Sequence, residues 1–339
     1  MPISYPSQCV LEGVPKVGYH KHLCPFPGSL FSCLEYLGTP FPYEYLMGVT
    51  GAAFRRLWEK NDGGNVGILH FAPEPWRRAF RATGYLCIEV PDTDRTAIVA
   101  QVKASIAAGK PLIAFGIVGP PEPGIVAGYD RNGDALLGYS YFQESEGYYR
   151  QEGWFEAIER GHAVFMLAFG DRTERPAERE TLVSTLRWIV DLARAKTCIW
   201  DPDPPEHLNG LAAYEGWASG FEVDEDYPPG NREVLGWRVI IHGDQTVMLH
   251  DRRPGAAYLR SVADVGTEAA GEITAAAALY EQVADTEGIW MWGHEMGEDV
   301  QDALADRATR LGIAAQIRRA GELEAEAVAH VEAALGLLA

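Results

Sequence analysis

The sequence lacks the short motifs that mark the common catalytic sites. It has no CxxC pair, Walker loop, GxGxxG, GxSxG or HExxH, which leaves nucleotide binding, serine hydrolysis and a helical zinc-protease site without support. Positive charge is also scarce. Lys and Arg number 29 against 48 Asp and Glu, for a formal charge of −19. That balance disfavours nucleic acid and anionic membrane surfaces, both of which select basic patches. No apolar run approaches the ~20 residues needed to cross a bilayer. The opening MPISYPSQCVLEG has neither a basic start nor an apolar core, so the sequence predicts no secretory signal and a cytoplasmic protein. The cysteines (Cys9, Cys24, Cys33, Cys87, Cys198) are odd in number and scattered, as befits free thiols. No cofactor is expected. The expected partner is a small-molecule substrate or ligand, and nothing in the sequence excludes a homo-oligomer.

What is present suffices for two domains: 339 residues, 47% of them hydrophobic. The first half alternates helical and strand patterns. Leu30, Cys33, Leu34 and Leu37 recur at helical spacing over Pro27–Gly38, and Gly38 is a natural stop. Further helices are expected over Thr50–Trp58, Pro75–Thr83 and Asp94–Ala108, with a strand over Tyr85–Val90. Then the period changes. Pro111–Val118 reads as a central strand, and Ile125–Tyr129 and Ala135–Phe142 as a hairpin closed by Asn132-Gly133. Tyr148–Arg150 and Ala163–Phe169 complete an antiparallel sheet, with a short helix over Trp154–Arg160. Helices first and sheet afterwards give an α+β domain over residues 1–172. The charged linker Gly170–Pro176 leads to a second domain, residues 177–339, which reads as all-α. Its helices are expected over 182–193, 208–221, 233–250, 256–265, 268–285 and 300–338. The cluster Trp290-Met291-Trp292-Gly293-His294 is expected to seal the bundle or act as a lid.

Chemistry concentrates in Tyr19-His20-Lys21-His22-Leu23-Cys24, ahead of Pro25-Phe26-Pro27-Gly28. A cysteine at a helix N-terminus has a reason to be a thiolate, because the unpaired N–H groups and the dipole favour negative charge there. His20 or His22 would be its base. Pro25 and Pro27, however, each remove one backbone donor. Alternatively, an extended 20–24 segment would turn His20, His22 and Cys24 to one face, a set that suits zinc. Along a cleft rim, Trp58, Asn61 and Asp62 form a polar turn, and Tyr139, Tyr141 and Gln143 lie on an aromatic ribbon that can line a small-molecule pocket. In the helical half, His242 and His250 share one predicted helix face without a motif around them.

The order of these elements carries a resemblance. Cys24 and its helix are followed by Leu34-Glu35-Tyr36-Leu37-Gly38, Gly109-Lys110-Pro111-Leu112-Ile113, Ile125-Val126-Ala127-Gly128-Tyr129-Asp130, Gly133 and Ala135-Leu136-Leu137-Gly138-Tyr139. Over roughly residues 15–170 the chain resembles the papain-like cysteine peptidase superfamily. Within it, the chain is most similar to double-glycine peptidase-like proteins and the butirosin biosynthesis protein H type of N-terminal domain. Such families place a nucleophilic cysteine at the start of the first long helix. A histidine lies on the strand that ends in the Gly-Tyr-Asp element, and an Asp or Asn on the next. The resemblance implies a papain-like fold and a cysteine-dependent hydrolase or acyltransferase acting on a small amide or acyl substrate. Cys24 would be the nucleophile, His20 or His22 the base, and Glu122 an orienting or acid–base group. The chain departs from the pattern in several places. Counted back from Gly38, the nucleophile position is Pro25, one residue from Cys24. Glu122 stands at the histidine position, the third position falls near Tyr139 or Ser140, and no glutamine shortly precedes Cys24. A carboxylate beside a thiol raises the thiol pKa. The alternative implied is therefore a catalytically silent papain-like protein that binds a small molecule or metal.

Overall fold

The computed structural model describes residues 4–61, 71–90, 94–156, 165–198, 207–289 and 298–339. The chain is mixed α+β and divides into two compact units. One comprises Met1–Leu46 and Trp76–Pro176, the other Met47–Pro75 and Ala177–Ala339. Residues 47–75, which the sequence assigned to the first domain, thus belong with the helical unit. The expected cluster Trp290–His294 lies outside the described residues, as do Asp62 and the end of the short helix expected over Trp154–Arg160.

The first unit is built on an antiparallel sheet. β3 (Tyr85–Val90), β8 (Phe165–Arg172), β4 (Leu112–Phe115), β5 (Pro123–Asp130), β6 (Ala135–Tyr139) and β7 (Tyr149–Glu152) lie in that order. β1 (Cys9–Val10) also pairs with β5, Cys9 opposite Tyr129. β4 is central and buried at all four positions, as an unbroken apolar run should be. β6 stops three residues short of its predicted end. The Ser140 N–H is taken by the Gln143 side chain (2.8 Å) and the Phe142 N–H by the Ser140 hydroxyl (3.1 Å). Such local bonds compete with the ladder and turn the chain out of the sheet.

Helix α1 (Pro25–Tyr36) packs on this sheet. It begins at Pro25, two residues before the predicted start, because proline suits the first helical position. It ends in a Schellman motif. Gly38, at φ +69°, donates to the Glu35 carbonyl (3.1 Å) and Thr39 to that of Leu34 (2.9 Å). Phe26 of α1 joins Trp76, Phe115 and Phe165 in one aromatic cluster. The helix expected over Pro75–Thr83 is α3 (Glu74–Thr83), and α4 (Arg95–Ala107) is capped by Asp94, whose carboxylate accepts the Thr96 N–H at 2.8 Å.

The second unit is mostly helical, with one departure from the all-α expectation. β2 (Leu57–Trp58) pairs with β9 (Leu208–Asn209). The predicted helix over Thr50–Trp58 is absent. α2 (Tyr43–Thr50) ends at Gly51, which has φ +80°, and only a short 3₁₀ turn, Ala52–Phe54, precedes β2. Gly51 also lies against Trp188, where an added Cβ would come 2.2 Å from the indole nitrogen. The remaining helices are α5 (Glu178–Arg194), α6 (Leu211–Gly220), α7 (Arg232–His250), α8 (Arg252–Val262), α9 (Ala270–Ala284), α10 (Glu298–Ala305) and α11 (Arg307–Leu338). The single helix expected over 300–338 is broken before Arg307, where the Asp306 carboxylate caps the Thr309 N–H (2.7 Å).

Buried charge organises this unit. Arg252 of α8 is fully buried and forms a bidentate pair with Glu324 of α11 at 2.8 and 2.7 Å. The same guanidinium donates to the carbonyls of Ala53 (2.9 Å), Arg55 (3.0 Å) and Met248 (3.1 Å). Tyr214 of α6 also donates to Glu324. Burial opposes the charge on Arg252, yet Glu324 holds the pKa above its ordinary value. Arg55 pairs with Asp251 at 2.8 Å, both buried. Arg56 bonds Gln245 at 3.0 Å and lies over the rings of Tyr214 (4.3 Å) and Trp217 (5.0 Å).

Replacing one member of a buried pair leaves the other charge uncompensated. Arg252→Met should therefore cost about 3–5 kcal/mol in urea unfolding. Adding Glu324→Leu should recover part of that loss, because the stranded carboxylate is gone. A double variant less stable than the single one would show that the pair is not the organising contact.

Candidate functional site

The predicted candidates separate between the two units. Cys24, His20, His22, Glu122, Tyr139, Tyr141 and Gln143 belong to the first, and Trp58 and Asn61 to the second.

Cys24 is the N-cap residue of α1, with extended backbone (φ −95°, ψ 112°), and its side chain is buried. Its own N–H donates to the Tyr43 hydroxyl at 3.1 Å. Pro25 and Pro27 supply no N–H, and Gly28 donates to the Cys24 carbonyl at 3.1 Å. The donors that would hold an oxyanion at this helix end are therefore largely removed or committed.

The two histidines are placed by a turn, not by an extended strand. The N–H groups of Lys21 and His22 both donate to the Gly18 carbonyl, at 2.9 and 3.2 Å. This curl removes the period-two alternation on which the metal reading of His20, His22 and Cys24 depended. Among the described residues no group of three or more His, Cys, Asp or Glu side chains is placed to hold a metal ion. His20 is exposed, and its ring lies over Gly18, where an added Cβ would come 2.7 Å from Nδ1. His22 turns inward. Its ring stacks on Tyr43 (4.2 Å between centroids, 22° between planes) and tilts against Phe31 (4.8 Å). Its Nδ1 is buried and has no hydrogen-bond partner among the described residues, so this nitrogen is not bonded to the thiol. Burial, then Lys21 and His20, lower the His22 pKa and keep the ring neutral.

Tyr141 is the side chain that the structure draws into the cluster. The Ser140 turn carries it off the end of β6, and the Ser140 hydroxyl anchors that turn on the Val118 carbonyl at 3.2 Å. The Tyr141 hydroxyl ends against Gly28. An added Cβ there would lie 2.0 Å from Oη, 2.9 Å from His22 Cβ and 3.4 Å from His22 Nδ1. The Tyr141 Oη is likewise buried and without a partner among the described residues. Burial above all, then Cys24, Tyr19 and Glu122, push its pKa well above the ordinary phenol value. Thiol and carboxylate therefore each lie within electrostatic reach of the phenol. Glu122 itself is half-buried, immediately before β5. The Pro123 carbonyl beside it accepts from Ser29 of α1 at 3.1 Å, which seats the start of β5 on the first turn of the helix.

The other candidates serve the scaffold. Tyr139 pairs across the sheet with Ile125 and packs edge-on against Tyr148 at 4.7 Å. The Gln143 amide is consumed within its own turn, accepting from Ser140 and donating to the carbonyls of Ser145 (2.8 Å) and Gly147 (2.7 Å). Asn61 is exposed, its N–H bonded to Glu59 at 2.7 Å. Trp58 is buried, stacked on His242 at 5.9 Å and 14°. His242 is a satisfied core residue. The Trp217 indole N–H donates to its Nδ1 (2.9 Å), which places the ring proton on Nε2, facing the Tyr227 hydroxyl at 2.7 Å. Phe221 stacks on it at 3.8 Å. Burial and then Arg238 push its pKa well below the ordinary histidine value.

The sequence reading missed Tyr43 and Gly28. Gly28 left a signal, since a glycine in a first helical turn costs helix stability and marks a close approach. No protein-family model matches the chain, and no curated protein matches it.

Two outcomes follow from this packing. Gly28→Ala should cost about 1–3 kcal/mol through overpacking. Combining it with Tyr141→Phe, which removes the clashing oxygen, should cost less than the sum, as a double-mutant cycle in urea will show. For His242, the unfolded chain takes up a proton below about pH 6.5, whereas the folded ring resists until much lower pH. Stability should then fall as pH drops through 6.5, by up to about 1.4 kcal/mol per pH unit. His242→Asn should remove that part of the slope between pH 7.5 and 5.5.

Proposed function

We propose that the first unit is a divergent papain-like domain whose Cys24 cleft binds a small molecule without covalent chemistry. The order of parts supports the family reading. A cysteine caps the first long helix, that helix packs on an antiparallel sheet, and Gly128-Tyr129-Asp130 closes the strand that starts beside Glu122. One observation carries the functional reading. The Cys24 N–H is committed to Tyr43, while two buried polar atoms over the same helical turn, His22 Nδ1 and Tyr141 Oη, have no partner among the described residues. Buried polar groups are normally satisfied, so an unmet pair is where a hydrogen-bonding ligand would restore the lost bonds. As a catalytic set the cluster is poorly equipped. A phenol held protonated cannot accept the thiol proton, and His22 Nδ1 is not bonded to the thiol.

Alkylation with iodoacetamide against pH, on the native chain and on Cys24→Ala, tests this. Slow alkylation with no thiol of depressed pKa is expected. Burial already pushes the Cys87 thiol up to about 12 and raises that of Cys33. One fast thiol with a pKa below neutrality, lost in Cys24→Ala, would instead establish the cysteine hydrolase or acyltransferase reading, acting on a small amide or acyl substrate.

A further inference from the structure

We propose that His22 and Tyr141 form the floor of a site for an uncharged, apolar-bodied small molecule whose oxygen head, a hydroxyl or carbonyl, accepts a hydrogen bond from the Tyr141 hydroxyl. The inference rests on the ligand-site reading above and adds the class of ligand.

The floor is polar and unmet. Tyr141 is 8% exposed, and neither its Oη nor His22 Nδ1 has a partner among the described residues. Both atoms lie over Gly28, whose missing side chain leaves room for them side by side. A buried hydroxyl without an acceptor forfeits its desolvation cost, which an acceptor oxygen would restore.

The rim is apolar. Leu23, next to His22 in sequence, is 37% exposed, and Phe142, next to Tyr141, is 39% exposed. Tyr19 stands edge-on to Tyr141 (4.9 Å) and to Phe142 (5.9 Å), which extends the aromatic wall outward. A ring or short aliphatic body fits such a rim.

The floor offers a charged head no counter-ion: its two buried atoms are a phenol oxygen and an imidazole nitrogen, and an unpaired charge buried against them is costly. The Tyr141 phenol is made a weaker acid by burial and by Cys24, Tyr19 and Glu122, so its surroundings disfavour an anion. The His22 imidazole is made a weaker base by burial and by Lys21 and His20, so its surroundings disfavour a cation. A head that suits both positions is neutral.

Three probes with the same ring and different heads separate the possibilities: 2-phenylethanol, phenethylammonium and phenylacetate. The full-length ¹⁵N-labelled chain is titrated with each, and the Gly28 amide resonance is followed. The alcohol should shift it saturably, with each ion at least about tenfold weaker. Loss of one hydrogen bond corresponds to about a tenfold rise in Kd, and Tyr141→Phe, which keeps the ring, should show that rise. His22→Asn should weaken the alcohol as well. An ion that binds as tightly as the alcohol would overturn the ligand class and leave the site standing. Unchanged affinity in Tyr141→Phe would overturn the role given to the hydroxyl. If none of the three shifts Gly28 saturably, only water serves the pair, and the ligand-site reading falls with the inference.

Discussion

The guanidinium of Arg252 decides how the chain is divided. It meets Glu324 in a fully buried bidentate pair and also gathers carbonyls from residues 53–55, a segment about 200 positions earlier. Arg55 and Arg56 add their own buried bonds to Asp251 and Gln245. Such charges are tolerable inside a protein only when they are paired or hydrogen-bonded. Residues 47–75 therefore belong to the helical unit, although chain continuity would leave them with the sheet. Their presence there also accounts for the two-residue ladder of Leu57–Trp58 with Leu208–Asn209 in a unit whose described residues are mostly helical.

In the first unit, a comparable constraint acts at the start of α1. The glycine in its first turn gives up helix propensity, whereas the two prolines stand where a helix N–H has no partner within the helix. In exchange the backbone admits a tyrosine hydroxyl and an imidazole at close range. Stability lost by the helix becomes room at its N-terminus. The cysteine there caps the helix, with a phenol and a committed amide around it.

What the sequence disclosed depended on how local the cause was. α1 and its stop at Gly38 were legible because proline, glycine and apolar spacing act within a few residues. The central strand and the Asn132-Gly133 hairpin were legible for the same reason. The helix expected over Thr50–Trp58 failed because Phe54, Leu57 and Trp58 mimic a helical stripe, whereas Gly51 and the distant Asn209 settle the backbone. The metal geometry failed because a single carbonyl, that of Gly18, curls the segment the argument needed extended. Tyr141 was visible as one of several ribbon aromatics. Its place over Gly28 was not, since that depends on the Ser140 turn ending β6 early.

The interrupted course of the chain also bears on its synthesis. Residues 47–75 leave the ribosome long before α8 and α11, and the Arg55–Asp251 contact spans 196 positions. Until the later helices emerge, two arginines destined for a dry interior remain hydrated. Closing contacts of such sequence separation is slow, and completion of the helical unit requires α11, which carries the Glu324 partner of Arg252.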